Sequence, residues 1–193
     1  MACTALTRGR QLNCNRISGG IKAVYFAVLD QVIAFTYDTT AAPNGVREIT
    51  NIDMGTDELY KYALPIGTSS LSDSIVGSRE NGTVYYTPTL NIVYNKLSKE
   101  DQNELKLMAA TKTVAFAELN QQLSNGHNVI VAMGMVNGME LNAGTMDSGA
   151  AWGDRNGYTL TFDGMEAEPF AMMTDYTAIP FDNADAGAQI PIN

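Results

Sequence analysis

Along most of this chain apolar and polar residues alternate with a period of two. The clearest stretch is Thr83–Asn95. There Val84, Tyr86, Pro88, Leu90, Ile92 and Tyr94 fall on one side, and Thr83, Tyr85, Thr87, Thr89, Asn91, Val93 and Asn95 on the other. Alternate side chains of a strand point to opposite faces, so the segment predicts a long strand with an apolar face and a Thr/Asn face. Pro88 cannot donate to a ladder and marks an edge or a bulge. Tyr158–Phe162 alternates the same way and predicts the last core strand. Residues 21–37 are rich in Val, Ile, Phe and Tyr and predict one or two strands broken near Asp30-Gln31. Val46–Met54, Glu58–Leu64, Val114–Leu119, Val129–Met135 and Met139–Thr145 are further strand candidates. Residues 38–47 predict a turn-rich loop, and Gly149–Gly153 a loop around Trp152.

Five Asn-Gly pairs punctuate these segments: Asn44-Gly45, Asn81-Gly82, Asn125-Gly126, Asn137-Gly138 and Asn156-Gly157. Asn-Gly is a strong hairpin signal, because both central residues of a type I′ turn need positive φ. One segment departs from the strand period. Ser98 followed by Asp101 resembles a capping box with a shorter acid, and Glu100, Asp101 and Glu104 favour the amino end of a helix dipole. Leu105, Met108 and Ala109 form a narrow apolar stripe. A single helix is expected from about Ser98 to Thr111.

The pattern predicts a mainly β protein: an antiparallel β-sandwich or split barrel with one flanking α-helix and extended arms. Residues 1–20 form an N-terminal arm in this reading. Residues 21–165 form a single β-sandwich or barrel domain with a long, serine-rich loop within 55–80, where Pro65 to Gly77 reads as either an extended loop or a long hairpin. Residues 166–193 lose the period and are expected as an extended tail, ordered against a neighbouring subunit.

Composition narrows the function classes. The 193 residues are 45% apolar, enough to bury a core, and carry a formal net charge of −9. That balance argues against a protein that grips nucleic acid by neutralising phosphates. Acids concentrate in the second half and the tail, while Arg8, Arg10, Arg16 and Lys22 lie early. Such asymmetry suits copies that join head to tail by charge complementarity. No run of about 18 apolar residues occurs, so no membrane insertion is expected. The first residues lack the apolar stretch of a signal peptide, which suits synthesis in a cytoplasm. Cys3 and Cys14 are expected as free thiols there, with a local disulfide as the alternative.

Candidate chemistry is sparse. His127 is the only histidine and sits beside a hairpin turn. Two cysteines and one histidine are too few for a four-ligand zinc site. No Gly-x-Ser-x-Gly elbow occurs. The glycine spacing of Gly77–Gly82 is followed by Thr83 where a P-loop needs Lys. Asp147-Ser-Gly and Asp154-Arg-Asn-Gly lack the ligand series of a calcium loop. Glu166 and Glu168, just before Pro169, look like turn acids. No catalytic, cofactor-binding or metal-binding residues are expected, and the chain is not expected to be an enzyme. The aromatics mostly fall on strand faces, and ten Met residues suit irregular gaps or adaptable contacts.

The order of elements resembles the tail tube proteins of tailed bacteriophages, which share a fold with the tubes of contractile injection systems. The resemblance spans most of residues 9–170 and rests on Gly19-Gly20-Ile21-Lys22, Glu80-Asn81-Gly82-Thr83, Asn103-Glu104-Leu105 and Gly153–Leu160. It implies a subunit of the virion tail, made in the host bacterial cytoplasm, whose partner is itself. Six copies would form a ring, and rings would stack into a hollow conduit for DNA. Sheath, baseplate and terminator proteins would be further partners, and DNA a cargo that must not stick. Glu118, Glu140, Asp147, Asp154 and Asp163 are the candidate lumen acids. Tyr62, Leu64, Ile66, Leu71 and Ile75 are the candidate ring-stacking residues. The alternatives are a terminator, completion or head-associated protein forming a single ring, and a β-sandwich glycan-binding module using Trp152 and Tyr158.

Overall fold

The computed structural model describes residues 17–38 and 48–193. Most of the expected arm, with Cys3, Cys14, Arg8, Arg10 and Arg16, lies outside the described residues, as does Asn44-Gly45. The described chain is mainly β with one helix. Its elements are β1 (Ile21–Val28), β2 (Ala34–Tyr37), β3 (Glu48–Asp53), β4 (Tyr60–Ala63), β5 (Ser70–Ser78), β6 (Thr83–Asn95), α1 (Lys99–Met108), β7 (Thr113–Gln122), β8 (Asn128–Met133), β9 (Glu140–Asp147), β10 (Gly157–Asp163) and β11 (Ala171–Met173). The break expected near Asp30-Gln31 is a 3-10 turn, Leu29–Gln31.

A seven-stranded sheet runs β2-β3-β11-β8-β7-β1-β4, and a four-stranded sheet runs β5-β6-β10-β9. Pairing is antiparallel apart from β11 beside β3. The two sheets form a sandwich. Strands β1, β7 and β8 are near-continuous apolar runs because both of their own faces are covered. Val24, Phe26, Ala115, Ala117 and Met133 face the four-stranded sheet, meeting Leu90, Ile92, Tyr158, Leu160 and Phe162. Tyr25, Ala27, Val114, Phe116 and Ile130 face the other way, into a second core.

The chain's own carboxyl-terminal residues help to close that second core. Residues 166–193, expected as an extended tail, supply β11 and then lay Phe181, Ala184 and Ile190 onto the sheet. The Phe181 ring meets Tyr25 edge-on at 5.0 Å and Phe116 at 5.5 Å. The last residues then run along the outer edge of β4, where the Leu59 N–H donates to Pro191 O and the Asn193 N–H to Leu59 O. Single apolar anchors hold this segment, so it shows no period of its own.

The helix forms where its cap predicts. The Asp101 N–H donates to the Ser98 hydroxyl at 3.0 Å, and the Tyr158 hydroxyl donates to Ser98 O at 3.0 Å. Leu105 is its buried anchor over the end of the sandwich.

Two turn readings change. No long loop fills 55–80: β4 and β5 occupy it, joined by a short turn, and the alternative of a long hairpin is what forms, β5 pairing with β6. The described Asn-Gly turns are also longer than type I′. Gly82, Gly126 and Gly138 have positive φ, but their asparagines do not. Loops such as 79–82 and 123–127 are four and five residues long, and glycine takes the left-handed position. Asn156-Gly157 is not such a turn. Gly157 opens β10, where a Cβ would lie 1.9 Å from Tyr94 O, so only glycine allows the two backbones to approach.

Candidate functional site

The four-stranded sheet buries one face and leaves the other free. From β6 the free face carries Thr87, Thr89, Asn91 and Val93, and from β10 it carries Thr159, Thr161 and Asp163. Ser70, Ser72 and Ser74 extend it on β5, and Ala143, Thr145 and Asp147 on β9. The alternation that buries Leu90, Ile92, Leu160 and Phe162 thus also produces a surface of hydroxyls and amides. Its side chains bond across strands: Thr161 donates to Asn91 Oδ1 at 2.8 Å, and Asn142 to Asp163 Oδ2 at 2.9 Å. Two cations stand at its margins. Lys112 Nζ lies 3.4 Å from Glu140 Oε1, and Arg155 donates to Thr159 Oγ1 at 2.6 Å.

Both edges of this sheet end in strands with a single partner, β5 and β9. The β5–β6 hairpin also outruns the sandwich. Its outer half, from Ile75 to Tyr85, has no core beneath it, and Ile75, Val76, Val84 and Tyr85 are exposed.

Of the five expected lumen acids, three share the free face: Glu140, Asp147 and Asp163. Asp154 is not on the sheet. It sits in the loop after β9, where its Oδ2 accepts from the Ala151 N–H at 2.7 Å and the Ala150 N–H at 2.9 Å. Those two bonds hold its carboxyl below the usual carboxylate range. Glu118 is a correction. It is only 1% exposed, its Oε1 lies 2.6 Å from Lys22 Nζ, and its Oε2 accepts from the Tyr25 hydroxyl at 3.0 Å. A carboxylate so enclosed lines no channel. The sequence held a signal for this, since Glu118 shares its strand face with Val114 and Phe116.

The expected stacking residues also divide. Ile66 and Ile75 are 95% and 71% exposed. Leu64 is buried, and Tyr62 and Leu71 are half-buried against the core between the sheets. Tyr62 is held by ring contacts with Phe26 and Tyr94, each at 5.6 Å. Val84 was expected on the core face and instead extends past it.

His127 packs with the carboxyl-terminal segment. Its Nδ1 is 2.9 Å from Asp175 Oδ1, Asn125 donates to Asp175 Oδ2, and its ring stacks on Tyr176 at 4.4 Å. Burial opposes ionisation of Asp175, but the hydrogen bonds from His127 and Asn125 prevail and lower its pKa. Among the described residues no hydroxyl or thiol is bonded to this imidazole, and no cluster of His, Cys, Asp and Glu is arranged for a metal. No described helix is long and apolar enough to cross a membrane. Glu166 is a structural turn acid, its Oε1 accepting from the Val136 N–H at 3.1 Å and the Asn137 N–H at 2.9 Å. Tyr158 is buried and Trp152 fully exposed, so the two do not make one aromatic platform.

Comparison with protein-family models, with curated proteins and with solved structures finds no match for the chain.

Proposed function

We propose that this chain is a self-assembling structural subunit of a bacteriophage tail tube, joined to its copies through the edges of the four-stranded sheet. The observation that carries the reading is the pair of open edges, β5 and β9. Such edges expose unpaired backbone groups and template the addition of another strand. The strand count favours a ring. In an antiparallel sheet of four strands, β5 and β9 run in opposite directions. Copies related by rotation about an axis along the strands therefore set β9 of one beside β5 of the next, again antiparallel. Repetition closes a barrel without edges. The free face would then line a bore of hydroxyls, amides and the acids Glu140, Asp147 and Asp163, a surface on which DNA slides instead of binding. The exposed arm of Ile75, Val76, Val84 and Tyr85 supplies apolar area for the contact between successive rings.

The experiment is negative-stain microscopy with sedimentation of the purified full chain. Stacked hollow tubes are expected, and the double variant Ile75→Asp, Val84→Asp should stop stacking without lowering the melting temperature of the subunit. Asp147→Lys with Asp163→Lys should assemble normally and slow DNA passage. Single rings that never stack would favour the terminator or completion role. A chain that stays monomeric at high concentration overturns the assembly reading.

A further inference from the structure

Where α1 crosses the ends of β4 and β6 the molecule has a cavity of about 400 Å³, within the size range of small-ligand sites. Its walls combine Tyr62, Tyr94 and Tyr158 with Asp101, Glu104 and Met108. The helix period explains the acids. Asp101, Glu104, Leu105 and Met108 follow i, i+3, i+4 and i+7, so one helix face turns two carboxylates and two apolar side chains toward the tyrosines.

This site is chemically unbalanced. No Lys or Arg lines it, and neither carboxylate has an ion-pair partner among the described residues. The Tyr62 and Tyr94 rings lie 5.6 Å apart at 46°, so the walls offer aromatic surface on more than one side. The Tyr94 hydroxyl is buried with no hydrogen-bond partner. Burial first, then the negative charge of Glu104 and Asp101, pushes the Tyr62 phenol up to about 12. The Tyr94 phenol is raised by burial, with Tyr62 and Asp101 adding to it. Neutral phenols beside carboxylates make an electron-rich site that attracts a positive guest.

We propose that this cavity binds an organic cation on a short apolar stem, its guanidinium or ammonium head held between the Tyr62 and Tyr94 rings and the Asp101 and Glu104 carboxylates. Met108, Leu105 and Pro65 take the stem. An anion is disfavoured by the acids, and a wholly apolar guest would leave them desolvated and unpaired. The cation has two possible sources. One is an arginine from residues 1–16, which contain Arg8, Arg10 and Arg16 and no acid. The other is a free amine. The inference does not depend on tube assembly.

The test titrates argininamide into the full chain carrying ring-labelled tyrosine and follows the tyrosine signals by NMR. Saturable shifts of Tyr62 and Tyr94 are expected, with binding weakened by added salt. Asp101→Asn with Glu104→Gln should weaken binding about tenfold or more, while n-pentanol, the uncharged control, should not bind. A triple variant Arg8→Gln, Arg10→Gln, Arg16→Gln separates the sources. Tighter probe binding in it identifies the chain's own arginines as the competitor, and equal binding identifies a free cation; both support the site. Absence of saturable binding in wild type and triple variant alike, or equal affinity for n-pentanol, overturns it. So does unchanged affinity in the Asp101/Glu104 variant with an intact fold by circular dichroism.

Discussion

The central strands of the seven-stranded sheet, β1, β7 and β8, are covered on both faces, while the four-stranded sheet is covered on one and ends in two open edges. In the first, alternate residues of β1 and β7 enter different cores, so nearly every side chain is inside. Even the acid of β7, Glu118, is enclosed, bonded to Lys22 and Tyr25. The chain's carboxyl-terminal residues seal the β4 edge. In the second, the same alternation leaves serine, threonine and asparagine in water. The seven-stranded sheet has its β4 edge bonded within the subunit and keeps a single-partner strand only at β2, whereas the four-stranded sheet has single-partner strands at both ends. The proposed association through β5 and β9 rests on this difference.

The sharpest way to break the comparison is to truncate matched positions. Phe116→Ala in the covered sheet should cost about 3–5 kcal/mol, because the ring is fully buried. Thr161→Ala on the free face should cost about 1 kcal/mol, the value of one hydrogen bond. Equal losses in chemical denaturation would mean that the free face is not free.

The enclosed charge comes next. Lys22→Met leaves Glu118 without its cation and should cost about 2 kcal/mol. Lys22 is 56% exposed, which keeps the loss below that of a fully buried pair. Urea denaturation measures it, and a stability equal to wild type would show that the Tyr25 hydrogen bond alone suffices.

Alkaline pH sharpens the contrast from another side. Burial raises the Tyr25 phenol, with the charge and hydrogen bond of Glu118 adding to it, and Tyr62 is raised to about 12. An unfolded tyrosine titrates near about 10. A higher folded pKa means stability complete below about pH 10 and falling as pH rises beyond it. Thermal melts across that range should show the decline, and Tyr62→Phe should make it shallower. Stability level to pH about 12 would contradict the enclosure of these phenols.

The smallest effect is expected at Trp152. Its side chain is fully exposed, so Trp152→Ala should change stability by less than about 0.5 kcal/mol. A larger loss in melts of the isolated subunit would mean that the β9–β10 loop packs onto the sheet.

Local pattern alone specified much of this molecule. Alternation from Thr83 to Asn95 marked the longest strand and both its faces, and Ser98 with its following acids marked the helix start. Strand period and helix caps are written in consecutive residues, so a sequence carries them. The hydroxyl-rich face was legible for the same reason, and with it Asp163. Other features depended on partners distant in the chain. Glu118 is enclosed, its charge met by the half-exposed Lys22, because Lys22 lies beside it across the β1–β7 ladder. Gly157 is required by the approach of the Tyr94 backbone, not by a turn. The last residues fold home because Phe181 meets Tyr25 and Phe116, rings from two other strands. Val84 and Ile75 are bare because the opposite sheet stops short of them. Each of these outcomes turns on which surfaces meet when the sheets stack, and neighbours along a chain do not encode the distance to a surface elsewhere in the fold.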